Sequence, residues 1–563
     1  MMESDLADYT QPPYPEAGTG SNGVSANGEG DVIGVPAAGL RRRVRRSDSS
    51  GSESTFFALA ESTRTAWARV RKLYAEDDGA RAADMSVVQQ GYRMVNPLSS
   101  ERISASLTVV LLAFLLYQLY LAREDFLNVL ASLHLHSVEV IVVAVLVVVV
   151  RIAYMQNKKR PVYCMDFVTY KPPDKYTTSH KHFIELSERT GVFDEEHIAF
   201  QRKLLERSGL GDRTCFPEAM HRADDIKQAG GNGSVVLNMY NARQEAEEVM
   251  FGCLDQLFAR NRIAPSEIDI LIVNCSLFNP TPSLSAMIVN KYKMKSSILT
   301  YNLSGMGCSA GLISIDLAKD LLQIHTNSRA VVVSTENITQ NWYLGKEKSM
   351  LITNTLFRMG GAAILMSNRG MDRHWSKYQL TTVVRTHQGS EDLAYDSIFQ
   401  MEDKNGIRGV KLSKNIMDVA GTALKNNITK LAPAVFPLTE HLKFGYHLIQ
   451  KKLNKTKSKK PFVPDFHKAF EHFCIHTGGR AVLEVIEKAL SLTPEEMEPS
   501  RFVLERFGNV SSASVWYELE FLERAGRVRK GDRIWQIAFG SGFKCNSAVW
   551  KSLTNVHGSG TSY

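Results

Sequence analysis

The sequence predicts an α/β layered domain built from two related halves, carried behind a two-helix membrane anchor and a disordered N-terminal arm. Three observations predict it. First, a β-prone run at residues 298–303 passes through a glycine-rich turn into an amphipathic helix pattern, and an apolar strand pattern follows at 330–333. Strand, helix, strand at this spacing indicates α/β layering. Second, the same order returns near the C-terminus. Third, two apolar runs stand in tandem before residue 155, outside either half.

The N-terminal segment comes first. Residues 1–55 are rich in Gly, Ser, Ala and charge and hold few large apolar side chains, so they cannot build a core. The arm extends to about residue 100. Within it, residues 41–46 read Arg-Arg-Arg-Val-Arg-Arg and are followed by Ser47-Asp48-Ser49-Ser50. A nuclear signal is one reading; a cytosolic basic arm beside a membrane fits the neighbouring apolar runs better. Phosphorylation of those serines would weaken attraction to anionic lipid. No cleavable signal peptide is expected, because the first apolar run begins a hundred residues in.

Residues 103–122 carry no formal charge, which is long enough for a spanning helix. The second run, 135–154, contains an unbroken apolar stretch at 140–150, with Glu139 and Arg151 towards its ends. Either run alone would also fit a buried core element. Arg93 and Arg102 precede the first run, and Arg151, Lys158, Lys159 and Arg160 crowd the end of the second. The positive-inside rule places both ends in the cytosol. The expected boundaries are 1–100 for the arm, 101–155 for two transmembrane helices, 156–370 for the first half and 371–563 for the second.

In the first half, 162–168 reads as a strand. Residues 242–260 read as a helix with Ala246, Val249, Met250, Cys253, Leu254 and Leu257 on one face. Residues 268–273 read as a buried strand. Residues 181–230 are mixed and fit a cap near the membrane. In the second half, 473–475 answers 268–273, and 534–539 answers 330–333. A helix over 511–525, with Ser511 or Ser512 placed to cap it, answers the helix at 312–322.

Each half therefore presents one polar residue where a helix begins: Cys308 in the first, Asn509 in the second. Cys308 lies in residues 301–311, reading Tyr-Asn-Leu-Ser-Gly-Met-Gly-Cys-Ser-Ala-Gly. Glycines at 305, 307 and 311 allow a tight turn there. The positive end of the following helix would favour a thiolate. The plainer reading is a small buried core cysteine. The seven cysteines are odd in number and lack paired spacing, which argues for free thiols in a reducing compartment. His472, Cys474 and His476 alternate, so a strand would turn all three to one side. A metal site is a weak alternative there, because no fourth ligand cluster is evident.

Several long stretches resemble the membrane-bound 3-ketoacyl-CoA synthases of plant fatty acid elongation: residues 274–290, 305–320, 336–343, 357–363, 471–481 and 536–550. The resemblance covers about 160–553. It implies a thiolase-like five-layered αβαβα fold of two repeated halves, similar to chalcone synthases. It implies a catalytic triad of Cys308, His476 and Asn509, and His387 matches a family histidine that would line the pocket. His472 reads either as a supporting partner of the triad or as a satisfied buried histidine. The implied reaction is decarboxylative condensation of a long-chain acyl-CoA with malonyl-CoA, without metal or redox cofactor. Cys308 attacks the thioester, His476 holds the thiolate ionised, and His476 and Asn509 stabilise the enolate. The implied partners are membrane lipid, a second copy of the chain in a homodimer, and the elongase ketoacyl reductase, dehydratase and enoyl reductase; no nucleic acid is expected. The implied location is the endoplasmic reticulum membrane, multi-pass, with the catalytic domain in the cytosol. Arg480 and Lys544 are nearby basic candidates for gripping CoA phosphates.

Overall fold

The computed structural model describes residues 142–143, 145–151, 159–453 and 463–556. The N-terminal arm and the first apolar run lie outside them. From the second run, residues 142–143 and 145–151 are helical, and Val142, Val143, Leu146 and Val147 are all exposed. Among the described residues, no helix is long and apolar enough to cross a membrane.

Nine strands form one mixed sheet. The first five are β1 (Tyr163–Thr169), β2 (Ile270–Asn274), β3 (Leu299–Leu303), β4 (Arg329–Thr335) and β5 (Gly361–Ser367). β6 (Tyr378–His387) follows, and β7 (Ile398–Glu402) and β8 (Arg408–Leu412) pair with each other as a separate hairpin. The last three are β9 (His472–Ile475), β10 (Arg533–Gly540) and β11 (Lys544–Ser552). The sheet order is β3-β2-β4-β5-β1-β6-β11-β10-β9. Outward from the β1–β6 pair, both flanks run first strand, last strand, next-to-last strand. The strands at 268–273 and 473–475 hold matching places, as do those at 330–333 and 534–539. β2 is parallel to β3 and β4, and β9 is parallel to β10; the other pairs are antiparallel. β4 and β5 are apolar almost throughout because both their faces are covered.

The helices that matter for the site are α1 (Met239–Asn261), α2 (Ala310–Ile324), α3 (Ile416–Val435), α4 (Pro494–Phe507) and α5 (Ser514–Arg524). α2 packs on β2 and β4 and also reaches β6, β10 and β11; α5 packs on β9 and β10 and reaches β1 and β5. Leu312, Ile315 and Leu322 of α2 share one core with Trp516, Leu519 and Leu522 of α5. Burying each such side chain contributes about 1.5–3 kcal/mol. α1 covers the opposite face of β1, β4 and β5, and α3 that of β6 and β11. α1 starts where the Asn238 side chain accepts the Asn241 N–H, and ends at Arg262 with φ of 53°. Its expected apolar face is buried throughout. Residues 181–230 are largely helical, with Phe183, Leu186 and Phe216 packed against Trp342 and Tyr343.

One local expectation is overturned. α5 begins at Ser514, after a 3-10 turn over Ser511–Ala513, and neither start has a side-chain cap. Ser512 Oγ instead donates to Asn274 Oδ1 (2.6 Å), and Ser511 Oγ to Glu336 (3.2 Å). Long-range acceptors took the hydroxyls that a local cap would have used.

Candidate active site

Cys308 sits in a 3-10 turn, Gly307–Ser309, that leads directly into α2. Gly307 has φ of 68° and lies against the 540–541 backbone; a Cβ there would come within 2.9 Å of Gly540 Cα and closer still to Ser541 N. Valine at 307 would strain φ and push this loop off the cysteine. Gly307→Val is expected to lower turnover roughly 100-fold, the usual effect of about 1 Å of misplacement. Its thermal midpoint should fall as well; wild-type turnover in steady-state kinetics would remove the argument.

His476 follows β9. Its backbone N–H donates to Ile537 O (3.0 Å), which continues the β9–β10 ladder, and the side chain is 3 % exposed. Nδ1 is buried and finds no hydrogen-bond partner among the described residues. Asn509 follows Gly508, where α4 ends. Its backbone is clamped on both sides: Asn509 N–H donates to Leu356 O (3.1 Å) and Arg358 N–H donates to Asn509 O (3.0 Å). Its side-chain Oδ1 accepts the Ser511 N–H (2.9 Å), which fixes the amide and leaves its NH2 end for a ligand.

The structure brings Cys308, His476, Asn509 and His387 to one cavity of about 450 Å³. Leu356, Phe357, Ile398, Leu412, Ile416 and Phe543 form an apolar side of it. The hairpin β7–β8 and the start of α3 supply three of these residues, Ile398, Leu412 and Ile416. Such a cavity can hold an alkyl chain next to a thiol.

The ionisation expected of the cysteine differs. Burial pushes the Cys308 thiol up to about 12, and Glu336 adds to this, while a contact from the Ser511 hydroxyl pulls the other way. Burial alone holds His476 down at about 4. Each group by itself is therefore neutral near pH 7. The helix terminus is a local effect of about 1 kcal/mol, and desolvation of a closed site exceeds it. The thiolate–imidazolium pair must gain its stability from mutual attraction or from bound substrate.

This burial has a consequence for stability. A free histidine binds a proton below about 6.5, but His476 in the folded chain waits until about 4. Across that window the unfolded chain holds more protons, so stability falls as pH drops from about 6.5 towards 4. The contribution of His476 is on the order of 3 kcal/mol. His476→Asn should flatten this part of the profile in denaturant titrations; an unchanged slope would contradict the burial argument.

Two carboxylates at the site stand outside the sequence expectations, and Ser511 enters them only as a helix cap. Glu336 is buried beside the cavity and accepts from Leu277 N–H (3.0 Å), Ser276 N–H (3.1 Å), Cys275 Sγ (3.3 Å) and Ser511 Oγ. Burial raises its pKa. Ser511, with φ of 53°, links Glu336, Asn509 and Cys308. Glu245, raised to about 7 by burial, accepts the N–H groups of Ile338 and Thr339 and holds the segment after Glu336. A carboxylate directly after the apolar strand 330–335 was the available signal.

His472 is not brought to the site. Four residue steps along the strand separate it from His476, roughly 13 Å, and its Nε2 bonds Asp532 Oδ2 at 2.9 Å. Cys474 is buried in the central core. Among the described residues, no group of three or more His, Cys, Asp or Glu could hold a metal. Arg480 points to Glu484 (2.9 Å) on the surface, whereas Lys544 lines the cavity. His387 Nδ1 accepts the Gly389 N–H (2.9 Å) at the exposed rim.

Comparison with known proteins places this geometry. The family described as FAE1/Type III polyketide synthase-like protein matches residues 154–453, and the C-terminal domain of chalcone and stilbene synthases matches 447–554. 3-ketoacyl-CoA synthase 4 of Arabidopsis thaliana is 53% identical over 439 residues, covering 78% of this chain and 83% of its own. 3-ketoacyl-CoA synthase 5 of the same plant is 48% identical over 474 residues, covering 84% and 94%. A fungal type III polyketide synthase, ORAS, superposes with a TM-score of 0.54 at 18% identity, over 69% of this chain and 99% of that one. This likeness shows that the fold is the thiolase-like α/β fold. The chain belongs to the FAE1/type III polyketide synthase-like family, among the 3-ketoacyl-CoA synthases.

Proposed function

We propose that this chain is a membrane-bound condensing enzyme that joins a long-chain acyl-CoA to malonyl-CoA, releasing carbon dioxide and CoA and giving a 3-ketoacyl-CoA two carbons longer. The observation that carries this is the meeting of Cys308, His476 and Asn509 in one cavity with an apolar side. Cys308 gives its proton to His476 and attacks the thioester carbonyl; CoA leaves as the acyl-enzyme forms. His476 and the Asn509 NH2 then face the developing enolate oxygen as malonyl-CoA loses carbon dioxide. The enolate carbon attacks the acyl carbonyl carbon, the carbon–sulfur bond breaks, and Cys308 leaves as the thiolate. No metal or redox cofactor is required by these steps.

The finer architecture belongs to the same reading. α2 and α5, with strands on both sides and α1 and α3 outside those, fit five αβαβα layers of two repeated halves at 156–370 and 371–563. The exposed apolar helical residues 142–143 and 145–151 support an anchor over 101–155 following the arm at 1–100. An endoplasmic reticulum location, cytosolic catalysis, a homodimer and the elongase reductases and dehydratase as partners complete the proposal. Microsomes carrying the full chain should elongate palmitoyl- or stearoyl-CoA with labelled malonyl-CoA. Activity on p-coumaroyl-CoA with none on saturated acyl-CoA would overturn the elongase reading in favour of polyketide synthesis.

A further inference from the structure

The rim of the cavity carries a positive charge that no carboxylate among the described residues pairs with. Lys544 opens β11 and stands opposite His387, the last residue of β6. Both line the cavity. Lys544 Nζ donates to the Ser541 carbonyl (2.6 Å). No carboxylate is among the groups acting on it: burial and Arg385 both disfavour its charge. Arg385 itself is matched by Asp316 at 3.3 Å. His387 accepts the Gly389 N–H at Nδ1, so its neutral ring carries the proton at Nε2.

Gly542 keeps the space between these side chains open. Its φ is 99°, and a Cβ would stand 2.9 Å from Lys544 Nζ and 3.8 Å from His387 Cε1. A half-buried ammonium in a cavity with an apolar side calls for an anion. We propose that Lys544 and His387 form a carboxylate subsite that receives the free carboxylate of malonyl-CoA, separating the extender from the acyl substrate. This rests on the condensing-enzyme reading above.

Position selects the carboxylate over the CoA diphosphate. The Ser541 residue that holds Lys544 also abuts Gly307, next to Cys308. Only a few ångströms of backbone therefore separate the ammonium from the nucleophile's turn. The diphosphate lies a whole pantetheine arm from the thioester, whereas the malonyl carboxylate lies two bonds from its carbonyl carbon. The contact acts in binding. As the carbon–carbon bond breaks, the electron pair passes to the enolate, carbon dioxide leaves neutral, and the ion pair dissolves.

The test uses the purified full chain in nanodiscs, as wild type, Lys544→Met, Lys544→Arg and His387→Gln. Calorimetry gives Kd for malonyl-CoA and for acetyl-CoA, which lacks the carboxylate; kinetics give KM for malonyl-CoA and stearoyl-CoA. Lys544→Met should weaken malonyl-CoA roughly tenfold or more, the loss of a charge-assisted hydrogen bond. Acetyl-CoA binding and the stearoyl-CoA KM should hold, and Lys544→Arg should restore most of the affinity. Equal weakening of malonyl- and acetyl-CoA would assign the charge to the CoA phosphates and overturn the proposal. A fall in kcat or thermal midpoint with malonyl-CoA affinity intact would overturn it in favour of a structural role. If wild type binds malonyl-CoA through Lys544 but forms no elongated product, the subsite stands and the condensing reading fails.

Discussion

Alanine at Cys308 is expected to lower condensation by roughly 10⁴-fold or more, to the limit of detection. Residues that act as a unit with a nucleophile lose almost everything when the nucleophile goes. The variant should fold. The residue is small and partly buried, and its turn is closed by the backbone, where the Ala310 N–H donates to Gly307 O. Thermal midpoint and malonyl-CoA affinity should stay near wild type, so the lost activity can be read as chemistry. Serine at 308 should be nearly as inactive, because a hydroxyl in this desolvated turn is a far weaker nucleophile than a thiolate. Measurable elongation by Cys308→Ala, assayed with labelled malonyl-CoA, would show that another group carries the acyl chain.

Asn509 should show the second-largest effect. Its carbonyl oxygen is already engaged by the Ser511 N–H, and its backbone is clamped between Leu356 and Arg358. Asn509→Asp keeps the shape and that hydrogen bond but turns a donor into an anion facing the developing enolate. Turnover should fall by roughly 10²–10³-fold, the usual loss for one oxyanion-hole donor, with like-charge repulsion adding to it. Decarboxylation of malonyl-CoA, followed as labelled carbon dioxide, should suffer more than acylation of Cys308. Equal losses in both half-reactions would place Asn509 in the acylation step. An unchanged release of carbon dioxide would remove it from the site.

Much of this was legible in the sequence for definite reasons. β4 and β10 announce themselves as apolar runs because both their faces are buried. The turn at Cys308 is legible because its glycines answer a local need, the close approach at Gly307. What escaped depends on contacts distant in sequence. Glu336 and Ser511 meet across 175 residues, so neither the carboxylate's neighbour nor the loss of the serine cap could be read locally. His472 looked like a companion of His476 because the strand alternates; the distance along the strand and Asp532, 60 residues on, decide otherwise. The neutral resting thiol was missed because a helix terminus is visible in sequence and desolvation is not.

The most direct measurement is the intact mass of the full chain in nanodiscs after mixing with stearoyl-CoA alone, with peptide mapping of the adduct. One stearoyl group is expected on Cys308, discharged on adding malonyl-CoA as a 3-ketoacyl-CoA two carbons longer. Product formed with no adduct on Cys308, or an adduct that malonyl-CoA does not discharge, would contradict it.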